Sequence, residues 1–192
     1  MSPILGTLAS QFSGKPFGSF ESIASVTVGS GGQSSIEFTS ISSSYTNLQI
    51  RGIARSADAS AGGNLATYIR FNGDTAANYS FHQLAGNNAG ATISSAGANQ
   101  SLGYVHHAGP RSGDLASTFS AMILDILDYK NTNKFKTVKS FAGHSLNNNQ
   151  TSRVGLNSVN WRSTSAITSI QIYQEGNFAQ YSTFALYGIK VE

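Results

Sequence analysis

Two carboxylates three residues apart in the run AMILDILDYK, residues 121–130, invite a chemical reading of this 192-residue chain. On a helix, Asp125 and Asp128 would share one face, the arrangement needed for an acid/base pair or for metal ligands. Their neighbours argue otherwise. TFSAMILDILDY runs into KNTNK and then FKTVKSFAG, a strand, turn, strand pattern. A run rich in Ile and Leu suits a strand covered in part on both faces, although its few β-branched residues keep the helical alternative open. Side chains alternate along a strand, so the two aspartates point to opposite faces and the pair dissolves. Asp128 then reads as a turn former, and Asp125 as an acceptor for backbone or a nearby arginine at a strand edge.

Other catalytic signatures are missing. There is no phosphate-binding glycine loop followed by Lys and Ser/Thr, no His-Glu-x-x-His and no Gly-x-Ser-x-Gly. GSGG lies between expected strands, where glycines serve turns. His82 falls in a strand, His106 and His107 are adjacent and point apart, and His144 follows a turn glycine, so no two share a metal-ligand spacing. A site assembled from loops, with Asp74 or Asp114, stays open. Serines are too abundant for one to mark a nucleophile. The chain has no cysteine, which rules out disulfides and thiol chemistry. No cofactor is expected.

Aromatic residues are the better lead. Trp161, Tyr173, Tyr181, Tyr187, Tyr79 and Tyr104 lie in or beside expected strands among Asn and Gln. Exposed rings in such company hold sugars by stacking and amide hydrogen bonds, with Trp161, Tyr173, Tyr79 and Tyr104 as the candidate glycan platform. The competing assignment is sandwich core and subunit contact. The sequons at Asn78, Asn99 and Asn149 would matter only in a eukaryotic secretory pathway, and no signal peptide supports one.

The elements that must position these residues follow from composition and punctuation. With 40% apolar residues the chain can bury one sizeable core, and only 11% of residues are charged, leaving a surface of hydroxyls and amides. The formal charge of +3 is spread along the chain, so a nucleic-acid partner is not expected. The densest run, with Lys130, Lys134, Lys136 and Lys139, reads as a solvated hairpin edge. No apolar run is long enough to span a bilayer, so membrane insertion is not expected.

Residues 1–20 read as an arm and linker. Ser2 and Pro3 suit a helix start, Ile4, Leu5, Leu8 and Phe12 fall at helical spacing, and Gly14 can end it. A three-turn helix is marginal alone, so this apolar face must dock, either on its own domain or on a partner it anchors to. Residues 21–192 read as about eight to ten short strands with Gly- and Asn-rich turns. SIEFTSI places Ile36 and Phe38 on one side, NLQIRGIA places Leu48 and Ile50 on one side, and residues 86–100 read as loop. The expected fold class is all-β: an antiparallel β-sandwich, most simply a jelly roll, with a short N-terminal helical arm.

Several segments together carry a family resemblance. SFESIASVTVGSGGQSSIEFTSISSSYTNLQIRGIARS, YIRFNGDTAANYSFHQL, ILDILDYKNTNKFKTVKSFAG and NWRSTSAITSIQIYQEGNFAQYSTFALYGIK resemble small virion proteins of tailed bacteriophages, often labelled minor tail or tail-fibre proteins. The most specific elements are RFNGDTAANYS, DILDYKNTNKFKTV and the closing FALYGIK. The resemblance covers nearly the whole chain after residue 18 and brings no catalytic motif.

It implies a non-enzymatic structural component of a virion assembled in the host cytoplasm, with other tail or capsid subunits as partners and a homotrimer as the expected assembly. One role is a tail appendage whose loops at 86–100, 107–114 and 144–152 bind a host-surface glycan. The alternative is a capsid cement protein whose arm lies across neighbouring capsid subunits. A glycan depolymerase is a third reading, which would draw its two carboxylates from Asp58, Asp74 and Asp114.

Overall fold

The computed structural model describes residues 20–60, 65–147 and 152–190, except the side chains of residues 107 and 108. The expected helical arm with Ile4, Leu5, Leu8 and Phe12 lies outside the described residues. Within them the fold is all-β: twelve antiparallel strands in two sheets, forming a β-sandwich. Among the described residues no helix is long and apolar enough to cross a membrane.

The strands are β1 (Phe20–Thr27), β2 (Gln33–Phe38), β3 (Asn47–Ala54), β4 (Leu65–Phe71), β5 (Tyr79–Asn87) and β6 (Thr92–Gln100). They continue with β7 (Gly103–Gly109), β8 (Ser120–Leu127), β9 (Lys136–His144), β10 (Arg153–Trp161), β11 (Ile170–Phe178) and β12 (Thr183–Ile189). The large sheet has the order β1-β12-β3-β8-β9-β10-β5-β6, and the small sheet β2-β11-β4-β7. Pairing is nested: the first strand meets the last, and the second meets the next to last.

Alternation decides which side of each strand is buried. In β8, Ser120, Met122, Leu124 and Ile126 are buried while Ala121, Ile123 and Leu127 are exposed, so the AMILDILDYK run is a strand. Asp125 sits on its outer side and accepts from Gln49 Nε2 at 2.7 Å. Asp128 adopts a left-handed φ of 50° in the following turn and pairs with Lys134 at 2.8 Å. β12 alternates in the same way and is internal to the large sheet. Between the sheets, Phe178 of β11 meets Phe184 of β12 edge-on at 5.0 Å, and Phe71 of β4 meets Trp161 of β10 at 5.4 Å.

Two local expectations are corrected. Residues 86–100 are the end of β5, a tight turn and all of β6, not a loop. β6 is an edge strand, so its residues lack the apolar alternation that marks a half-buried strand. Its Gly97 is a place of close approach, because a Cβ there would fall 2.5 Å from the Phe81 ring. After the Asn72-Gly73 turn the chain crosses the sandwich, because β4 and β5 lie in different sheets.

Lys136 is the second correction. It is fully buried rather than part of a solvated edge. Its Nζ donates to the carbonyls of Asn131 (2.5 Å), Lys134 (2.9 Å) and Thr164 (3.2 Å), tying the β8–β9 turn to the segment after β10. Burial pulls its pKa below the usual lysine range.

Lys136→Ala leaves three carbonyls without their shared donor and is expected to cost about 2–4 kcal/mol in urea unfolding, because orphaned buried groups lose solvation as well as a bond. Lys134→Ala, whose partner is half exposed, is expected to cost under ~1 kcal/mol. Equal losses would show that Lys136 does not organise this corner.

Candidate functional site

The four candidate platform residues divide into two pairs. Tyr79 is 0% exposed and Trp161 2%, so neither is a platform. Both face the sandwich interior, where their rings stack at 6.4 Å. Trp161 Nε1 donates to Asp74 Oδ2 at 2.7 Å, and the Tyr79 hydroxyl accepts the backbone N–H of Phe71 at 2.9 Å. Burial pushes the Tyr79 hydroxyl up to about 12. Composition identified the rings, but strand parity placed these two inside.

Tyr173 and Tyr104 fall on the outer face of the small sheet, and a residue not singled out from the sequence, Tyr68, stands between them. In register, Tyr173 of β11 pairs with Tyr68 of β4, which pairs with Tyr104 of β7. The three half-buried rings form a row across three strands, with centroids 5.4 and 5.5 Å apart. Phe81 extends the row by stacking on Tyr104 at 4.8 Å. The signal was present in ATYIRF, where Tyr68 and Arg70 share a parity opposite to Ile69 and Phe71.

A second register row lies beside the first: Glu37, Gln171 and Arg70. Arg70 Nη2 donates to the Tyr173 hydroxyl at 3.0 Å, and its guanidinium lies 4.9 Å from that ring's centre. Arg70 Nη1 reaches Gln171 Oε1 at 3.3 Å, and Gln171 Nε2 reaches Glu37 Oε1 at 3.0 Å. Arg70 Nε is buried and has no hydrogen-bond partner among the described residues. The Tyr68 hydroxyl donates to Glu175 Oε1 at 3.1 Å, and burial, then this carboxylate, pushes it up to about 12. Burial also raises Tyr104 and Tyr173. All three hydroxyls therefore stay protonated at neutral pH. The face combines aromatic rings with hydroxyl, amide, guanidinium and carboxylate groups, the set that recognises a polyol.

The loop acids have structural partners. Asp58 accepts from the N–H and the hydroxyl of Ser60, both at 2.8 Å, and Asp114 accepts from the N–H of Arg111 at 2.7 Å. Arg55, buried, donates to the carbonyls of Ser112, Asp114, Leu115 and Thr118 and pins the 110–118 loop. His106 bonds Ser120 Oγ at 3.0 Å, but both residues are sealed in the interior. Among the described residues, no three His, Asp or Glu side chains gather to hold a metal.

The outer face of the large sheet is different in kind. One register row carries Ile123, Phe141, Leu156 and Leu84 on β8, β9, β10 and β5. The next carries Ile53, Ala121, Gly143, Val154 and Gly86. All the large side chains in these rows are exposed.

Asp74 is the anchor that keeps Trp161 inside. Burial would raise its pKa, but hydrogen bonds from Asn78 and Trp161, the Ala76 N–H and the charge of Arg70 together hold it below the usual carboxylate value. A depressed folded pKa stabilises the fold above the unfolded value of about 3.9, and that stabilisation disappears as pH falls through the folded value. Asp74→Asn is therefore expected to be less stable at pH 7 and to lose less stability than wild type between about pH 5 and pH 2. Parallel pH profiles of the urea midpoint would contradict this role.

The chain matches no family model and no curated protein.

Proposed function

We propose that this chain is a non-enzymatic structural subunit of a tailed-bacteriophage particle, carried as a tail appendage, and that the outer face of its small sheet binds a host-surface glycan. The observation that carries the glycan reading is the Tyr173, Tyr68, Tyr104 row with Arg70, Gln171 and Glu37 beside it. Rings offer apolar contact to sugar C–H faces, while the neighbouring amide, guanidinium and carboxylate fix hydroxyl groups. The ligand face thus moves from the loops expected from the sequence to a sheet surface held rigid by strand pairing.

The strand order supports the virion reading. β1-β12-β3-β8 opposed to β2-β11-β4-β7 is the order of a jelly roll, here with β9, β10, β5 and β6 added to one sheet. Jelly rolls serve both viral shells and lectins. The sequence resemblance points to the same particles.

A second reading, capsid cement, is favoured by one specific observation: the broad apolar face of the large sheet suits a permanent protein contact. Copy number separates the two. A small fraction of the major capsid protein's copies in purified particles supports a tail subunit, and near-equal stoichiometry means cement.

Binding to purified host envelope polysaccharide is the direct test of the glycan face. Tyr68→Ala and Tyr173→Ala are each expected to weaken binding by about tenfold, equivalent to ~1.4 kcal/mol. Tyr181→Ala, at an exposed site away from this row, is expected to bind as wild type. Absence of saturable binding, or tyrosine variants that bind normally, would overturn the glycan reading.

A further inference from the structure

We infer that two copies of this chain pair face to face through the outer side of β3, β8, β9, β10 and β5, an interface independent of whether the tyrosine face holds a saccharide. The starting observation is how much apolar surface the large sheet leaves uncovered. Ile53, Ile123, Phe141, Val154, Leu156 and Leu84 are each about half exposed, and they are contiguous across five strands. Half of six such side chains amounts to roughly 500 Å² of apolar area, the upper end of what a monomer leaves exposed. With the polar rim included, such a face approaches the ~800 Å² per partner of a standard protein interface.

The relief of the face points to a second copy as the occupant. Phe141 projects at 52% exposure beside a groove of about 490 Å³. The groove floor has almost no side chains, being made of Gly52, Ala121 and Gly143, and its walls are Ile53, Ile123 and Val154. A projecting ring and a hollow side by side on one surface are what a two-fold contact requires, because a half-turn places each copy's ring over the other's hollow.

Charge is consistent with this pairing. Arg51 is the charged residue lining the groove, and the neighbouring register row carries Asp125 opposite Lys139. Opposite signs side by side let a rotated copy meet complementary groups. A single patch in the middle of the eight-stranded sheet suits a two-fold axis rather than the three-fold seam expected from the resemblance. A closed trimer needs two different patches on each subunit.

Sedimentation or light-scattering mass measurement of the full chain across about 1–100 µM, a range that brackets micromolar affinity, tests the inference. Wild type is expected at twice the chain mass of 20.2 kDa. Phe141→Asp and Leu156→Lys are expected to be monomers with an unchanged circular-dichroism spectrum, since both side chains are already half exposed. A wild-type monomer or trimer, or a dimer that survives both charged substitutions, would overturn the inference. A monomer would assign the face to another virion protein or to residues 1–19 of the same chain.

Discussion

Eight strands face four, and most of the molecule's behaviour follows from that imbalance. β2, β11 and β4 of the small sheet supply apolar residues from one side of the core. Strands β1, β12, β3 and β8 supply the opposite layer. The added strands β9, β10, β5 and β6 extend beyond that pairing, and β7 is the small-sheet strand that reaches over them. There hydrogen bonds join the apolar packing of Val138, Val159 and Trp161: Val105 of β7 offers its carbonyl to Ser140 Oγ at 2.5 Å and to Asn157 Nδ2 at 2.8 Å. The Phe81–Tyr104 stack closes the boundary and joins it to the tyrosine row. The extension also widens the large sheet's outer face, on which an apolar strip of this breadth fits.

The motifs that gave the sequence its family resemblance turn out to hold corners together. In RFNGDTAANYS, Asn72 accepts from the N–H groups of Thr168 (2.8 Å) and Ser169 (3.1 Å) and donates to the Ala166 carbonyl at 2.8 Å. Asp74 fixes Trp161, and the Tyr79 hydroxyl caps Phe71. Arg162 then bonds the Ala77 carbonyl and Asn99. Polar side chains here replace the backbone partners that a sheet-to-sheet crossing lacks. DYKNTNKFK works the same way through Lys136. Most chemistry-bearing residues in these motifs therefore account for folding, and Arg70 is the motif residue that reaches the tyrosine face.

Legibility tracked periodicity. The alternation in NLQIRGIA, SAMILDIL and TFALYGI was strong enough to give strands, faces and the loss of the Asp125–Asp128 pair from the sequence alone. β6 was illegible because an edge strand has no deep face to fill with large apolar residues. The hydrogen-bond partner of Trp161, Asp74, lies far away in sequence, and one-dimensional patterns do not carry such pairings. Lys136 was misread because lysines in a charged run are ordinarily solvated, although two of the carbonyls that hold it belong to its own turn. Tyr68 could have been found by extending the parity argument already applied to β3. The apolar outer face was hidden in β8, where Ile123 alternates with the apolar inner set Met122, Leu124 and Ile126, so the run reads as a strand covered in part on both faces.

The central claim is a division of labour: the large sheet's outer face meets protein, and the small sheet's outer face is left for ligand. Hydroxyl-radical footprinting of the purified full chain tests it most directly, because Phe, Leu and Tyr side chains report their own solvent exposure. The account predicts protection of Phe141 and Leu156 together with labelling of Tyr68 and Tyr173. Labelled Phe141 and Leu156, or a protected tyrosine row, would contradict it.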